Sequence, residues 1–339
     1  MEKTNKINNN IGVFSVISGI DADNAIIEPT KMVIDKLMPK EVCGIIAGTT
    51  GSNKSFLVMQ MCMSIANDED SFLEFDIKEK GLSVLLVDTE IGENLLKERY
   101  QLIQKNFDWN EGSERFNMIS RIGSNVDIWP DLEKSIKKFK PDVVIIDCLY
   151  NSISIKDITK SKNIFPFTEK LTEIRKRYNL TLFCVHHMNK GAHELGLNKD
   201  RMSGASALLN WVEHLILMTT TNEDDIRLMK IAKSRVIDYP NCYYGLDWDT
   251  RKLFLTNKGV IDNWKRYMDT EEKIIRYKEA LSTIPEKFRT RDWIAHVVDK
   301  MKMSERTAYG WLLEMERSNL LKKDSHGEWS KNLKLVESE

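Results

Sequence analysis

The sequence predicts an α/β fold built on a mainly parallel sheet, with a second, smaller helical unit towards its C-terminal end. Three observations carry that expectation. Short β-branched runs alternate with longer amphipathic stretches between residues 29 and 256, as strands buried on both faces alternate with the helices that cover them. A glycine-containing turn stands where one of these runs gives way to an apolar helical segment. Beyond residue 270 the pattern changes to closely spaced helical segments, then two short apolar runs around a polar turn.

A chain of 339 residues accommodates one large domain and a small appendage. The first 28 residues are polar and are expected to be partly flexible. The strand runs follow in order: Val42 to Ala47, Ser83 to Val87, Val143 to Ile146, Leu180 to Val185 and His214 to Met218. Helical patterns fall between them, among them Phe56 to Ala66, Leu95 to Ile103 and Phe167 to Tyr178. From Tyr243 to Trp248 and Lys252 to Leu255, around a turn at Asp249 to Arg251, the pattern predicts an antiparallel hairpin on the sheet edge. Residues 257–270 are expected to be a polar linker.

Net charge is −1, from 50 basic and 51 acidic side chains. No global field therefore draws the molecule to nucleic acid or a membrane surface, and such contacts must be local. No apolar stretch approaches the roughly 18 to 20 residues that span a bilayer. The five cysteines, Cys43, Cys62, Cys148, Cys184 and Cys242, are scattered and form no CxxC pair. They read as reduced core residues of a cytoplasmic protein.

The sharpest motif is Gly48-Thr49-Thr50-Gly51-Ser52-Asn53-Lys54-Ser55, which follows a strand run and, at Phe56, opens a helical one. It matches G-x-x-x-x-G-K-[ST] except that Asn53 replaces the second glycine. That position needs left-handed backbone, which asparagine tolerates better than most residues. In such a P-loop the backbone amides and helix N-terminus cradle phosphates. Lys54 would reach the β- and γ-phosphates, and the Ser55 hydroxyl would ligate Mg²⁺. The run Val143-Val144-Ile145-Ile146 then ends in Asp147, placed to hold the same Mg²⁺ from a neighbouring strand. The GTPase base-reading pattern N-K-x-D fails at Arg201 in Asn198-Lys199-Asp200-Arg201, so ATP is favoured over GTP.

The order of these signals over residues 30–256 resembles the RecA-like hexameric ATPases of the plasmid replicative helicase (RepA-like) type. The resemblance implies a RecA-like P-loop core and Mg²⁺-dependent ATP hydrolysis at the subunit interfaces of a homo-oligomeric ring, a hexamer. It also implies single-stranded DNA in the ring's channel, and service in replication or maintenance of a plasmid or mobile element, with a protein of that system as a further partner. It assigns the water-activating glutamate to Glu90 in Leu85-Leu86-Val87-Asp88-Thr89-Glu90, with Asp88 in reserve. It places a γ-phosphate sensor at His186 or His187. The two histidines are not expected to bind metal, because neighbours on a strand point to opposite faces and no Cys or His follows at ligand spacing. Lys233 and Arg235, two residues apart, correspond to cations projected into a neighbouring subunit's nucleotide. Residues 189–210, with Lys190, Lys199 and Arg201, correspond to the loop that tracks DNA in the channel.

Residues 271–339 read as a winged helix-turn-helix: three helical segments, then Leu320-Leu321, a turn at Asp324 to Gly327, and Trp329. The helix starting after Ser304 would be the recognition helix, with Arg306 and Tyr309 facing duplex DNA. Yet these residues carry 14 basic and 13 acidic side chains, a weak basic footprint that leaves protein contact open. Two rivals to a helicase or translocase follow: an ATP-gated DNA-binding regulator, and an ATP-dependent adaptor of a mobile-element or defence system.

Overall fold

The computed structural model describes residues 10–11, 14–15, 17–108, 112–122, 128–149, 161–188, 197–199, 202, 205–268 and 271–332. Met1–Lys31 is a unit of its own. It contains a two-stranded ladder of Asn10–Ile11 with Phe14–Ser15 and a short helix, Gly19–Asp23, capped by the Ser18 side chain.

Met32–Glu339 is the second unit, organised around a nine-stranded sheet. In chain order its main elements are β1 (Cys43–Gly48), α1 (Lys54–Ala66), β2 (Val84–Asp88), α2 (Glu93–Gln104), β3 (Phe116–Ser120), α3 (Trp129–Phe139), β4 (Val143–Asp147) and α4 (Ser161–Tyr178). There follow β5 (Thr181–His187), α5 (Ala205–Trp211), β6 (His214–Thr220), β7 (Ile226–Ser234), β8 (Tyr244–Asp249) and β9 (Phe254–Val260). The sheet order is β9-β8-β7-β6-β1-β5-β4-β2-β3. From β6 to β3 every pairing is parallel, and β6 through β9 are antiparallel. This is the mainly parallel α/β architecture of a RecA-like P-loop core.

Alternation along the strands explains the layering. Ile46, Leu86, Ile145, Val185 and Ile216 pack into one core with α1 and α2. Ile45, Leu85, Val144, Cys184 and Leu217 pack into the other with α3, α4 and α5. A strand with both faces covered has no solvent face to mark with polar residues. Helix α1 is buried almost throughout, which is why its sequence is apolar all round. Among the described residues no helix is long and apolar enough to cross a membrane, and none of the five cysteines forms a disulfide.

Three elements carried too little signal to be named from sequence. Strand β3 lies at the sheet edge, where only Phe116 is fully buried, so its run Phe-Asn-Met-Ile-Ser lacks an apolar core. Helix α3 fully buries just Leu132 and Ile136. Strand β7 carries Arg227, Lys230 and Lys233 among its apolar residues. A fourth difference is β9, which continues past the expected stop at Leu255 to Val260. The following 3-10 turn, Trp264–Met268, stacks Trp264 on Tyr243 and buries Met268 in the core. Most of the expected linker 257–270 is thus structured, its polar residues being the outward positions of an edge strand.

The C-terminal elements are α6 (Glu271–Ser282), β10 (Lys287–Arg289), α7 (Thr290–Met301), α8 (Glu305–Arg317), β11 (Leu321–Lys323) and β12 (Glu328–Lys331). The strands form an antiparallel sheet ordered β10-β12-β11. These elements enclose a core of their own around Tyr277, Phe288, Trp293, Leu312 and Trp329. The indole N–H groups of both tryptophans are satisfied: Trp293 donates to the Ala308 carbonyl at 2.8 Å and Trp329 to Thr290 Oγ1 at 2.9 Å. Ser304 caps α8 by accepting the Thr307 amide at 3.2 Å.

Candidate active site

Strand β1 ends at Gly48, and the loop to Lys54 turns directly into α1. A Cβ at Gly48 would lie 2.5 Å from the Met218 carbonyl oxygen, so no other residue fits where the loop leaves the sheet. Gly51 (φ +78°) and Asn53 (φ +65°) both take left-handed backbone. Asn53 therefore adopts the conformation its position demands, and its side chain has a second task. Arg227, on β7 and almost fully buried, donates from Nε to Asn53 Oδ1 at 2.6 Å. The same guanidinium donates from Nη1 to the Asp224 and Ile226 carbonyls at 2.7 and 2.9 Å. Thr49 ties the loop to β6, its Oγ1 accepting the Thr220 amide at 3.3 Å. Ser52 Oγ donates back to the Thr49 carbonyl at 2.8 Å. Thr50 is exposed at the loop's tip.

Lys54 is buried at the start of α1, where Nζ donates to the Thr49 carbonyl at 2.7 Å and to Ser52 Oγ at 3.3 Å. Burial pulls its pKa down to about 8, against the attraction of Asp147 and Glu90. A polyanion at the loop would replace those neutral acceptors and favour the charged ammonium. Phe56 turns away from the loop: its ring packs on Trp248 at 5.0 Å and carries the Arg99 guanidinium on its face at 4.8 Å. Only its position at the helix start belongs to the site.

Asp147 ends β4 beside the loop and is buried. Its carboxyl is raised to about 6, by burial first and then by Asp88 and Glu90, while a hydrogen bond with Ser55 acts the other way. Among the described residues its Oδ1 has no hydrogen-bond partner. A buried carboxylate oxygen without a partner, next to a serine hydroxyl, suits a hard divalent cation. The residues present therefore fit the Mg²⁺ that the motif implies.

Glu90 lies two residues beyond β2. Asp88 sets the turn, because its Oδ1 accepts the amides of Glu90 and Ile91 at 2.9 and 2.8 Å. Asp88 is thereby occupied by backbone, and Glu90 is the carboxylate presented at the site. Glu90 Oε1 accepts from Cys148 Sγ at 2.7 Å and lies 3.1 Å from His187 Nε2. The His187 contact is the main reason its pKa falls to about 2. Of the two histidines at the end of β5, His187 is the one that meets Glu90. His186 is fully buried within the sheet, opposite Ala47 of β1.

Lys233 lies in the last two residues of β7 and Arg235 directly follows the strand. Both grip the C-terminal turn of α5: Lys233 donates to the Leu209 carbonyl and to that of Val212 at 2.8 Å, and Arg235 to Asn210 at 2.6 Å. Cations at a helix C-terminus satisfy carbonyls that have no partner within the helix. Lys199 is exposed, whereas Lys190 and Arg201 lie outside the described residues. On α8, Arg306 and Tyr309 are exposed.

Two residues at this site had no sequence signal of their own. Arg227 belongs to no motif and reaches Asn53 across 174 positions. Cys148, read as an ordinary core thiol, is buried as expected but donates to Glu90 across 58 positions. The clue available was its place directly after Asp147.

No curated protein matches this chain closely enough to count as a relative. A family model described as the AAA domain matches residues 15–193, which covers the P-loop, Glu90, Asp147, His186 and His187. Lys233, Arg235 and the C-terminal elements fall beyond it. The match spans more than half of the 339 residues. The chain belongs to the AAA domain family, a family of P-loop NTPases.

Proposed function

We propose that this protein is a ring-forming ATPase, a hexamer, that moves on or unwinds DNA in the replication or maintenance of a plasmid or other mobile element. One observation carries the hydrolytic part. Lys54, Asp147 with its unpartnered oxygen, and Glu90 converge on one loop from the same end of the sheet, just beyond β1, at the end of β4 and just beyond β2. The loop amides and Lys54 would hold the β- and γ-phosphates, and Ser55 and Asp147 would hold Mg²⁺. Bound there, the ion would neutralise charge on the phosphate oxygens. Glu90 then orients water and takes its proton. Its low pKa keeps it ionised, and so able to accept a hydrogen bond from that water, at any working pH. His187, in contact with Glu90, is suited to report the state of the γ-phosphate.

The oligomeric and nucleic-acid parts rest on the resemblance and on placement. Arg235 and Lys233 end an antiparallel strand rather than facing their own Glu90, as cations meant for a neighbouring subunit's nucleotide would. We read the C-terminal elements as a winged helix with α8 as its recognition helix, since Arg306 and Tyr309 are exposed near the start of that helix.

The decisive experiment compares ATP turnover with and without single-stranded DNA, alongside native mass. Stimulation by single strands and a hexameric mass are expected. A response to duplex DNA alone would favour an ATP-gated regulator, and no response to DNA a protein-directed adaptor. Lys54→Ala removes a charge-assisted contact of about 1.5 to 3 kcal/mol. ATP affinity should fall about tenfold or more, as read by fluorescent-nucleotide titration, and unchanged affinity would refute the nucleotide site.

A further inference from the structure

We propose that Glu90, Cys148 and His187 form a second metal site, selective for a borderline-soft divalent cation such as Zn²⁺, whose occupation stops hydrolysis. The inhibitory half rests on Glu90 being the base; the binding half does not.

The three donors come from the ends of adjacent strands. His187 is the last residue of β5, Cys148 follows β4 directly, and Glu90 lies just past β2. One ligand atom from each, His187 Nε2, Cys148 Sγ and a Glu90 carboxylate oxygen, lies within 4.8 Å of the others. Zinc binds sulfur at about 2.3 Å and nitrogen or oxygen at about 2.0 to 2.2 Å. Small side-chain rotations would bring all three atoms to that range around one ion. Three protein ligands with a fourth position open is the coordination zinc adopts in catalytic sites.

The donor set separates this site from the neighbouring Ser55–Asp147 pair. Oxygen donors suit Mg²⁺, which resists thiolate and imidazole, whereas a nitrogen, oxygen and sulfur set selects zinc. Burial is graded in the way a site open to one side requires. Cys148 is fully enclosed, while the side chains of Glu90 and His187 are 32% and 42% exposed. The thiol proton, now directed at Glu90 Oε1, leaves to solvent as the thiolate binds the ion. The Glu90 oxygen that binds the metal can no longer take a proton from water, so zinc occupancy and turnover exclude each other.

The sequence hides this arrangement. Zinc sites are recognised by closely spaced ligands, and here Glu90 and His187 are 97 positions apart and Glu90 and Cys148 58. Parallel strand ends do what a short loop does elsewhere.

The test uses the full-length protein without nucleotide. Zn²⁺ is titrated calorimetrically, and Co²⁺ serves as a spectroscopic stand-in whose thiolate bond gives a near-ultraviolet charge-transfer band. Stoichiometric binding and that band are expected in the native protein. Cys148→Ser should abolish the band, and both it and His187→Ala should weaken Zn²⁺ binding about tenfold or more. In Mg²⁺–ATP turnover, zinc should inhibit the native protein, while the ratio of rates with and without zinc returns towards one in Cys148→Ser. Absence of the band, or unchanged Zn²⁺ affinity in both variants, would overturn the site. Inhibition that persists in Cys148→Ser would overturn its role. Binding with the band in a protein that never hydrolyses ATP would uphold the site and refute the ATPase reading instead.

Discussion

His214 is fully buried on β6, its ring against Phe183, and among the described residues neither ring nitrogen has a hydrogen-bond partner. Burial lowers its pKa from 6.5 to about 4. The unfolded chain therefore binds a proton below about pH 6.5 that the folded chain refuses, and stability falls as pH drops from 6.5 towards 4. That single group is worth at most about 3 kcal/mol. Asp147, raised by burial to about 6, contributes with the opposite sign over the same range. His214→Leu should accordingly show a smaller loss of urea midpoint between pH 7.5 and pH 5 than the native protein, and parallel losses would refute the assignment. Glu90 supplies the second residue-level prediction. Glu90→Gln should bind ATP normally while turnover drops roughly 10²- to 10⁴-fold, as expected for loss of a general base. If Asp88→Asn blocks turnover and Glu90→Gln does not, the base is the other acid. The P-loop was legible residue by residue because its chemistry demands fixed types at fixed spacing. Arg227 and Cys148 were not, because a contact made across the sheet imposes no spacing along the chain. Asn53 was read as a tolerated departure from glycine; its left-handed backbone agrees, but its bond to Arg227 had no signal.

Among the elements, parallel strands with both faces covered were the easiest to read, since β1, β4 and β5 are continuous apolar runs. Edges and charged strands were the hardest. β3 buries one residue fully, and β7 carries cations, of which Lys233, with Arg235 just beyond the strand, bonds to carbonyls at the end of α5. Those cations make α5 and β7 one packed pair, and they raise an element-scale question of whether Arg235 serves only its own helix. Arg235→Ala should bind ATP but turn it over poorly. Mixed with Lys54→Ala protein it should regain activity, because a sound loop from one chain then meets a sound arginine from the other. Turnover in the mixture no higher than in the separate variants, or a fully active monomer, would confine Arg235 to capping α5. The cap itself predicts a modest loss of stability in the same variant, of the order of 1 kcal/mol. A thermal melt read beside the mixing assay therefore separates folding from catalysis.

For the molecule as a whole, the C-terminal elements have their own tryptophan-centred core, and Met268 closes the sheet's core before them. A chain ending at residue 268 should therefore fold and keep its basal ATPase activity. One ending at residue 256 should lose part of β9 and aggregate. The shortened protein should lose the partner that α8 recognises. Charge reversal at Arg306 should mimic that loss, steeply with salt, if the partner is duplex DNA. An unfolded or inactive 1–268 chain would place the tail within the catalytic core. The sequence showed the break in pattern but not its position, because a solvated edge strand and a linker are written in the same polar residues. Strand β7 has a mechanical consequence. Its start, at Arg227, grips the phosphate loop through Asn53, and beyond its other end Arg235 stands about 26 Å away at strand rise. Paired with β6 along nearly all its length and with β8 over Ile226–Met229, the strand resists stretching. It works as a push-rod: whatever displaces the loop at one end is felt by the cation at the other. On the proposed reading, a subunit's own phosphate occupancy thus bears on the charge it offers to the next.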